Sequence, residues 1–222
     1  MKEGLFFRLR YKLTRMESSA ITVFIIDDDP SIRKSLSLLL SSHGFETECY
    51  SCSEEFLSRL PIEGIGCILL DLQMDGINGL ELQEKLSQHD KQLPIIFLSG
   101  QGNISSTVRA LRAGAITFLE KPCLEDDLLK AITEALTISH KRATEREAWH
   151  TARQKLMSLS PRETEVLKLV ITGMLNKQVA GELNIAEHTV KLHRQHITEK
   201  LGVKSVAEIV RMTQLSGLIS IT

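Results

Sequence analysis

Residues 21–29 read ITVFIIDDD, a short β-branched apolar run that ends in three consecutive aspartates. An apolar run of this length, bounded by polar residues, is typical of a strand that is buried on both faces. Similar runs recur at residues 67–72 and 95–98, and segments with helical periodicity separate them. This alternation predicts a doubly wound α/β fold, in which helices cover both faces of a parallel sheet.

Five strand–helix repeats are expected between residues 21 and 137. The expected strands are 21–26, 45–50, 67–72, 95–98 and 116–119, and the expected helices are 31–42, 53–60, 78–88, 103–113 and one beginning at 124. Residues 125–157 form either one long helix or two with a frayed joint, because no breaker occurs before Pro161. Four further helical segments at 161–172, 176–183, 186–201 and 206–215 predict a small all-α domain.

The net charge of −1 conceals an asymmetry along the chain. Residues 20–136 carry 9 basic and 18 acidic side chains, whereas residues 137–222 carry 13 basic and 8 acidic ones. This suggests a metal- or phosphate-handling module joined to one that meets a polyanion. The four cysteines match no disulfide framework or zinc spacing, and no apolar run approaches a membrane span. Residues 1–19 are expected to be a disordered extension or the product of an early start codon, rather than a membrane or partner contact.

Chemistry-bearing residues come at the ends of four expected strands: Asp27, Asp28 and Asp29, then Asp71, then Ser99, then Lys121. The carboxyl ends of parallel strands meet in one crevice, so these groups should converge. Packed carboxylates repel one another unless a cation neutralises them, and oxygen ligands suit Mg²⁺. Transfer of a phosphoryl group to an aspartate requires such a site, with a lysine and a hydroxyl for the phosphoryl oxygens. Helix capping explains Asp29, but not the other three strand ends.

These residues resemble the receiver domain of response regulators, a flavodoxin-like fold. The motifs are Ile25-Ile26-Asp27-Asp28-Asp29, Asp71-Leu-Gln-Met-Asp-Gly-Ile-Asn-Gly79, Ser99-Gly100 and Glu120-Lys121-Pro122. The resemblance implies that Asp71 accepts a phosphoryl group from a sensor histidine kinase. It implies that Asp28, Asp71 and the Gln73 carbonyl bind Mg²⁺, with Asp27 acting mainly through water, and that Ser99 and Lys121 bind phosphoryl oxygens. Phe118 is either the family's aromatic switch or a core residue. Asp75 replaces the usual proline, which should loosen its loop, and Ser99 replaces the commoner threonine.

The C-terminal segment resembles the LuxR-type helix-turn-helix domain. The motifs are LSPRETEVL at 159–167, GMLNKQVA at 173–180, TVKLH at 189–193 and KLGV at 200–203. With the receiver, the chain resembles the FixJ-like branch of the NarL/FixJ group. The resulting domains are an extension (1–19), a receiver (20–137), a helical linker (138–157) and a DNA-binding domain (158–222).

Helical phasing separates two faces of the segment 186–201. Val190, Ile197 and Leu201 should pack inward, while the opposite face presents His188, Lys191, Leu192, Gln195 and Glu199. An exposed leucine flanked by Lys and Gln suits a major groove, where these side chains meet a thymine methyl and base edges. The resemblance places base contacts at Lys191, Leu192 and Gln195. Phosphate contacts are expected from Asn176, Lys177, Thr189, His193 and Arg194.

The sequence therefore predicts a phosphorylation-controlled transcription regulator that is cytoplasmic and not an ordinary enzyme. An aspartyl-phosphate phosphatase would need an acidic residue at position 73, where the chain has Gln, and a receiver with a helical adaptor would not need the groove-facing side chains. The expected partners are the kinase, double-stranded DNA, a second copy of the chain after phosphorylation, and RNA polymerase. Dimerisation through residues 103–113 and 116–119, which Ser99 and Phe118 bracket, is favoured over the unmasking of Lys191 and Gln195.

Overall fold

A computed structural model of the chain describes residues 21–62, 64–89, 93–100 and 104–217. The chain forms two compact units, which divide between Ala143 and Thr144. The extension expected at 1–19, the expected helix start at 103 and residues 218–222 of the expected DNA-binding domain lie outside the described residues.

The first unit alternates strands and helices. They are β1 (Ile21–Ile26), α1 (Pro30–Ser42), β2 (Glu46–Tyr50), α2 (Ser53–Ser58), β3 (Ile65–Asp71), α3 (Gly79–Ser87), β4 (Ile95–Ser99), α4 (Ile104–Arg112) and β5 (Thr117–Glu120), and α5 (Glu125–Met157) begins here. The strands pair in parallel in the order β2-β1-β3-β4-β5. The expected doubly wound sheet is therefore confirmed.

Two apolar layers sandwich the sheet, because successive side chains of a strand point to opposite faces. Val23 and Ile25 of β1 belong to the layer that α1 and α5 cover, together with Leu40 and Ile132. The other layer is covered by α2, α3 and α4; its members include Phe24, Ile26, Phe56, Leu82 and Ala110. Burial on both faces explains why the central strands are apolar throughout.

Most element ends differ from the sequence expectation by one or two residues. Asn78 was expected inside a helix, but it is an N-cap with extended backbone. Asp29 caps α1 as expected, since its carboxylate accepts the Ser31 N–H at 2.7 Å. Cap residues lie half inside a helix, so periodicity alone does not separate them from the first turn.

The long helix α5 is continuous over its 33 residues, which decides between the two alternatives that the sequence left open. The second unit then contains α6 (Pro161–Ile171), α7 (Asn176–Leu183), α8 (Glu187–Leu201) and α9 (Val206–Ser216). Their apolar faces form one core, which includes Val166, Val179, Val190, Ile197 and Ile209. Among the described helices, none is long and apolar enough to cross a membrane.

Candidate functional site

The acidic residues and Lys121 meet at the carboxyl edge of the sheet. Asp27 directly follows β1, Asp71 ends β3, and Lys121 directly follows β5. The Lys121 Nζ lies 2.6 Å from Asp27 Oδ2 and 3.1 Å from Asp71 Oδ1. In the sequence, Asp71 lies 44 residues after Asp27, and Lys121 lies 94 residues after it. The three side chains meet here because parallel strands all end at the same edge of the sheet.

Asp28 completes a group of three carboxylates. One ligand oxygen from each of Asp27, Asp28 and Asp71 lies within 4.8 Å of the others. Asp27 and Asp71 are buried and Asp28 is exposed, so the cluster opens to solvent on one side. Because Lys121 contributes one positive charge against three carboxylates, the group retains negative charge, and its hard oxygen donors suit a divalent cation such as Mg²⁺.

A cavity of about 510 Å³ adjoins this cluster. Asp28 and Gln73 both line it, together with Asp75 and Asn78 from the loop after β3. Gln73 itself is exposed, as its predicted role through the backbone carbonyl allows. The cavity therefore opens to solvent on the Asp28 side of the cluster.

The ionisation of the cluster reflects burial and mutual contact. Burial raises the pKa of Asp71 more than the hydrogen bond and charge of Lys121 lower it. Burial alone would lower the pKa of Lys121, but hydrogen bonds to Asp27 and Asp71 outweigh that effect and raise it. Lys121 therefore remains an ammonium in the pair of contacts that it makes.

The loop before α1 is held in place by side chains on both sides. Arg33 Nη1 donates to the backbone carbonyl of Asp27 at 2.6 Å, and the Asp29 N–H donates to Asp27 Oδ1 at 2.9 Å. These contacts direct the Asp27 side chain towards Lys121. No motif identified Arg33 in the sequence, because its contact depends on how α1 folds back over the loop.

Ser99 lies on β4, which pairs with the strand of Asp71, and Phe118 lies on β5, the edge strand beyond β4. Ser99 is fully buried, and its carbonyl accepts the Lys121 N–H at 2.8 Å, so the ends of β4 and β5 are joined. Phe118 is half-buried and stacks on Phe97, with ring centroids 6.4 Å apart. It packs against the apolar layer under α2, α3 and α4.

Helix α8 has the two predicted faces. Val190, Ile197 and Leu201 are buried, at 0%, 2% and 0% exposure. On the opposite side, His188, Lys191, Leu192 and Gln195 are exposed, and the exposed fraction of Leu192 is 50%. The phasing expected from the sequence is confirmed.

The residues predicted to contact phosphates differ in their exposure to solvent. Lys177 is exposed, whereas Asn176, Thr189, His193 and Arg194 are half-buried. Arg194 Nη1 donates to Asn176 Oδ1 at 2.8 Å, which joins α7 to α8. Gln195 Nε2 donates to Glu199 Oε1 at 2.8 Å on the same helix. Arg194 and Asn176 therefore orient each other.

An ion pair that sequence reasoning missed secures the end of α8. Ser160 and Glu163 form a capping box at the start of α6. The same carboxylate also accepts from Lys200 Nζ at 2.7 Å. The Lys200 hydrogen bond is the largest cause of the shift that lowers the pKa of Glu163 to about 2. Lys155 Nζ adds a 3.0 Å hydrogen bond to the Leu201 carbonyl.

Together, the parallel sheet with its acidic edge and the helix-turn-helix define the class of this protein. It is a response regulator, in which a receiver domain is joined to a DNA-binding output domain. Two family models match in that order: the response regulator receiver domain over residues 23–133, and the bacterial regulatory proteins of the luxR family over residues 157–213.

Several known proteins are similar to the chain over most of its length. Response regulator protein TodT of Pseudomonas putida is 40% identical over 202 residues, which are 91% of this chain and 89% of TodT. Transcriptional regulatory protein FixJ of Bradyrhizobium diazoefficiens is 34% identical over 199 residues, 89% of this chain and 97% of FixJ. The solved structure of response regulator StyR superposes with a TM-score of 0.82 at 46% identity, covering 88% of this chain and 99% of StyR. This chain belongs to the NarL/FixJ group of response regulators, which are transcription regulators of two-component systems.

Proposed function

We propose that Asp71 is the phosphoryl acceptor of this regulator. The observation that carries the proposal is the convergence of Asp71 with Lys121 at 3.1 Å and with two further aspartates within 4.8 Å. In the transfer, the P–N bond of a phosphohistidine on the kinase breaks, a P–O bond to Asp71 forms, and the released imidazole takes up a proton. Asp71 Oδ1 already accepts the Leu72 N–H at 2.9 Å, so attack by the other carboxylate oxygen preserves this contact.

Asp28, Asp71 and the backbone carbonyl of Gln73 would hold Mg²⁺, with Asp27 nearby. When bound, the ion supplies positive charge that offsets the carboxylates and the phosphoryl oxygens. The positive charge of Lys121 offsets the negative charges of Asp27 and Asp71. After transfer the Asp71 carboxyl group no longer carries its own charge, and the Lys121 ammonium pairs with a phosphoryl oxygen instead. Ser99, at the end of the adjacent strand, supplies a hydroxyl for another phosphoryl oxygen.

The DNA-reading surface in this proposal is the exposed face of α8. Lys191, Leu192 and Gln195 would reach base edges in the major groove, and His188 flanks them at the start of the helix. Thr189, His193, Arg194, Asn176 and Lys177 would contact the phosphate backbone and set the position of α8 on the duplex. The support is the exposure of the first three side chains on a helix whose other face is buried in the core.

Phosphorylation would act by dimerisation through α4 and β5. Ile104, Val108 and Leu111 lie at helical spacing on α4, and their exposed fractions are 84%, 40% and 44%. Exposed large apolar groups on one helix face mark an interaction surface. Ser99 and Phe118 border this face, so a change at Asp71 reshapes it. A dimer presents two DNA-binding units to two half-sites and raises the effective concentration of the second.

In this proposal the receiver comprises residues 20–137, the helical linker residues 138–157 and the DNA-binding domain residues 158–222. The regulator acts in the cytoplasm, where kinase, promoter and RNA polymerase meet.

Incubation with acetyl phosphate and Mg²⁺ tests the assignment of Asp71. We expect one acid-labile phosphate per chain, its loss in Asp71→Asn, and its retention in Asp29→Asn, which removes a neighbouring carboxylate that serves as the α1 cap. Full labelling of Asp71→Asn would show that another residue accepts the phosphoryl group.

A further inference from the structure

The loop between β3 and α3, residues 72–78, carries the Gln73 carbonyl. Its base is closed, because the Gly79 N–H donates to the Leu72 carbonyl at 3.1 Å and Asn78 caps α3. Between these points, Gln73 and Asp75 are exposed, and Asp75 occupies the position at which a proline was expected. From the sequence alone, this part of the loop lacks a backbone restraint.

The restraint comes from the start of α2. The Ser53 hydroxyl donates to the Ile77 carbonyl at 2.8 Å, and Glu54 Oε1 accepts the Ile77 N–H at 3.3 Å. Two adjacent side chains thus satisfy both backbone polar groups of one loop residue. Ser53 is fully buried, so its hydroxyl has little access to water as an alternative partner.

Gly76 allows the carboxylate of Glu54 to lie against the loop. Its φ of +78° is rarely adopted by other residues, and a Cβ built at Gly76 would lie 3.0 Å from Glu54 Oε1. The pKa of Glu54 is lowered, first by its own backbone N–H and further by the Ile77 N–H. A charged acceptor makes a stronger hydrogen bond than a neutral one, which favours this contact although Glu54 is exposed.

We infer that Ser53 and Glu54 are positioning residues for the acidic site, holding the 72–78 loop so that the Gln73 carbonyl is in place to bind Mg²⁺. The inference rests on the proposed phosphorylation site, and neither residue touches the reacting atoms. A ligand on a restrained loop loses less conformational entropy when an ion binds. The α2 contacts thus replace the restraint that a proline at position 75 would provide.

Mg²⁺ affinity of the unphosphorylated full chain, measured by titration calorimetry, tests this role. We expect Glu54→Ala to raise the dissociation constant about 3- to 10-fold, the range that corresponds to one lost hydrogen bond. Glu54→Gln keeps an acceptor for the Ile77 N–H and should restore most of the affinity. Glu55→Ala is the matched control: it removes the same charge from the next residue, whose carboxylate bonds to Ser51.

A purely structural role would lower the melting temperature without Mg²⁺ and leave the dissociation constant unchanged. Equal Mg²⁺ affinity in Glu54→Ala and Glu55→Ala would overturn the inference, as would Glu54→Gln binding no better than Glu54→Ala. Acetyl phosphate labelling of the same proteins distinguishes this failure from a failure of the proposed function. If neither wild type nor Glu55→Ala is labelled at Asp71, the proposed function falls and the inference falls with it.

Discussion

The ion pair between Glu163 and Lys200 should determine much of the stability of the helix-turn-helix unit. Glu163 Oε2 accepts from Lys200 Nζ and from the Ser160 N–H, both at 2.7 Å. Only 5% of the Glu163 side chain is exposed, whereas 42% of the Lys200 side chain is. Glu163→Gln removes the charge while preserving the size of the side chain and one acceptor oxygen.

The expected cost follows from these contacts. A hydrogen bond to a charged group contributes about 1.5–3 kcal/mol. Solvent around Lys200 weakens the ion pair, and glutamine still accepts from the Ser160 N–H. We therefore expect Glu163→Gln to lower the free energy of unfolding by about 1–2 kcal/mol. Glu165→Gln, two residues along the same helix, is the control, because Glu165 is exposed.

Urea denaturation followed by tryptophan fluorescence measures this difference, since Trp149 is the single tryptophan and lies in the second unit. Glu163 has a folded-state pKa of about 2, below its ordinary value of 4.5. Because folding lowers the pKa of Glu163, the charged carboxylate stabilises the fold at pH values above its unfolded-state pKa. This stabilisation is lost as the pH falls through the folded-state pKa. The gap between wild type and Glu163→Gln should be full at neutral pH and shrink as the pH drops from about 4.5 towards 2.

A Glu163→Gln protein as stable at neutral pH as Glu165→Gln would refute this reasoning. So would a stability gap that did not change across the acidic range, because it would then arise from packing rather than from charge.

Three other predictions concern DNA binding and assembly. Lys191→Ala and Gln195→Ala should each cost about 1–3 kcal/mol of operator affinity and alter the preference at particular base pairs, whereas Lys177→Ala should weaken binding to all sequences alike. Fluorescence anisotropy with variant duplexes measures both effects. Unchanged operator binding by Lys191→Ala would contradict the phasing of α8. Val108→Glu should leave phosphorylation intact but keep the phosphorylated protein monomeric in sedimentation; a dimer would exclude the α4 face. The fragment 157–222 should bind DNA more weakly than the phosphorylated chain, whereas equal binding would favour unmasking over dimerisation.

The sequence was most informative where a residue's position depends only on the strand or helix to which it belongs. Apolar runs and helical periodicity identified the strands and helices, since burial on one or both faces dictates those patterns. The positions of Asp27, Asp71 and Lys121 at strand ends predicted the cluster, because any parallel sheet brings those ends together. The faces of α8 followed in the same way from its phase, as the buried Val190 and exposed Leu192 show.

Contacts between distant segments were decided only by the tertiary structure. A serine three residues before a glutamate is the local pattern of a capping box, but no local pattern indicates that Glu163 pairs with Lys200, 37 residues further along the chain. The family's usual proline led us to expect a loosened loop at Asp75, and only the structure shows that Ser53 and Glu54 bond to Ile77 in that loop. Periodicity reports which side of an element faces the core, whereas the partner of a polar side chain depends on how elements pack against one another. The sequence by itself therefore determined the class of this protein and the cluster of charged side chains at the sheet edge, and the packing determined which other side chains contact them.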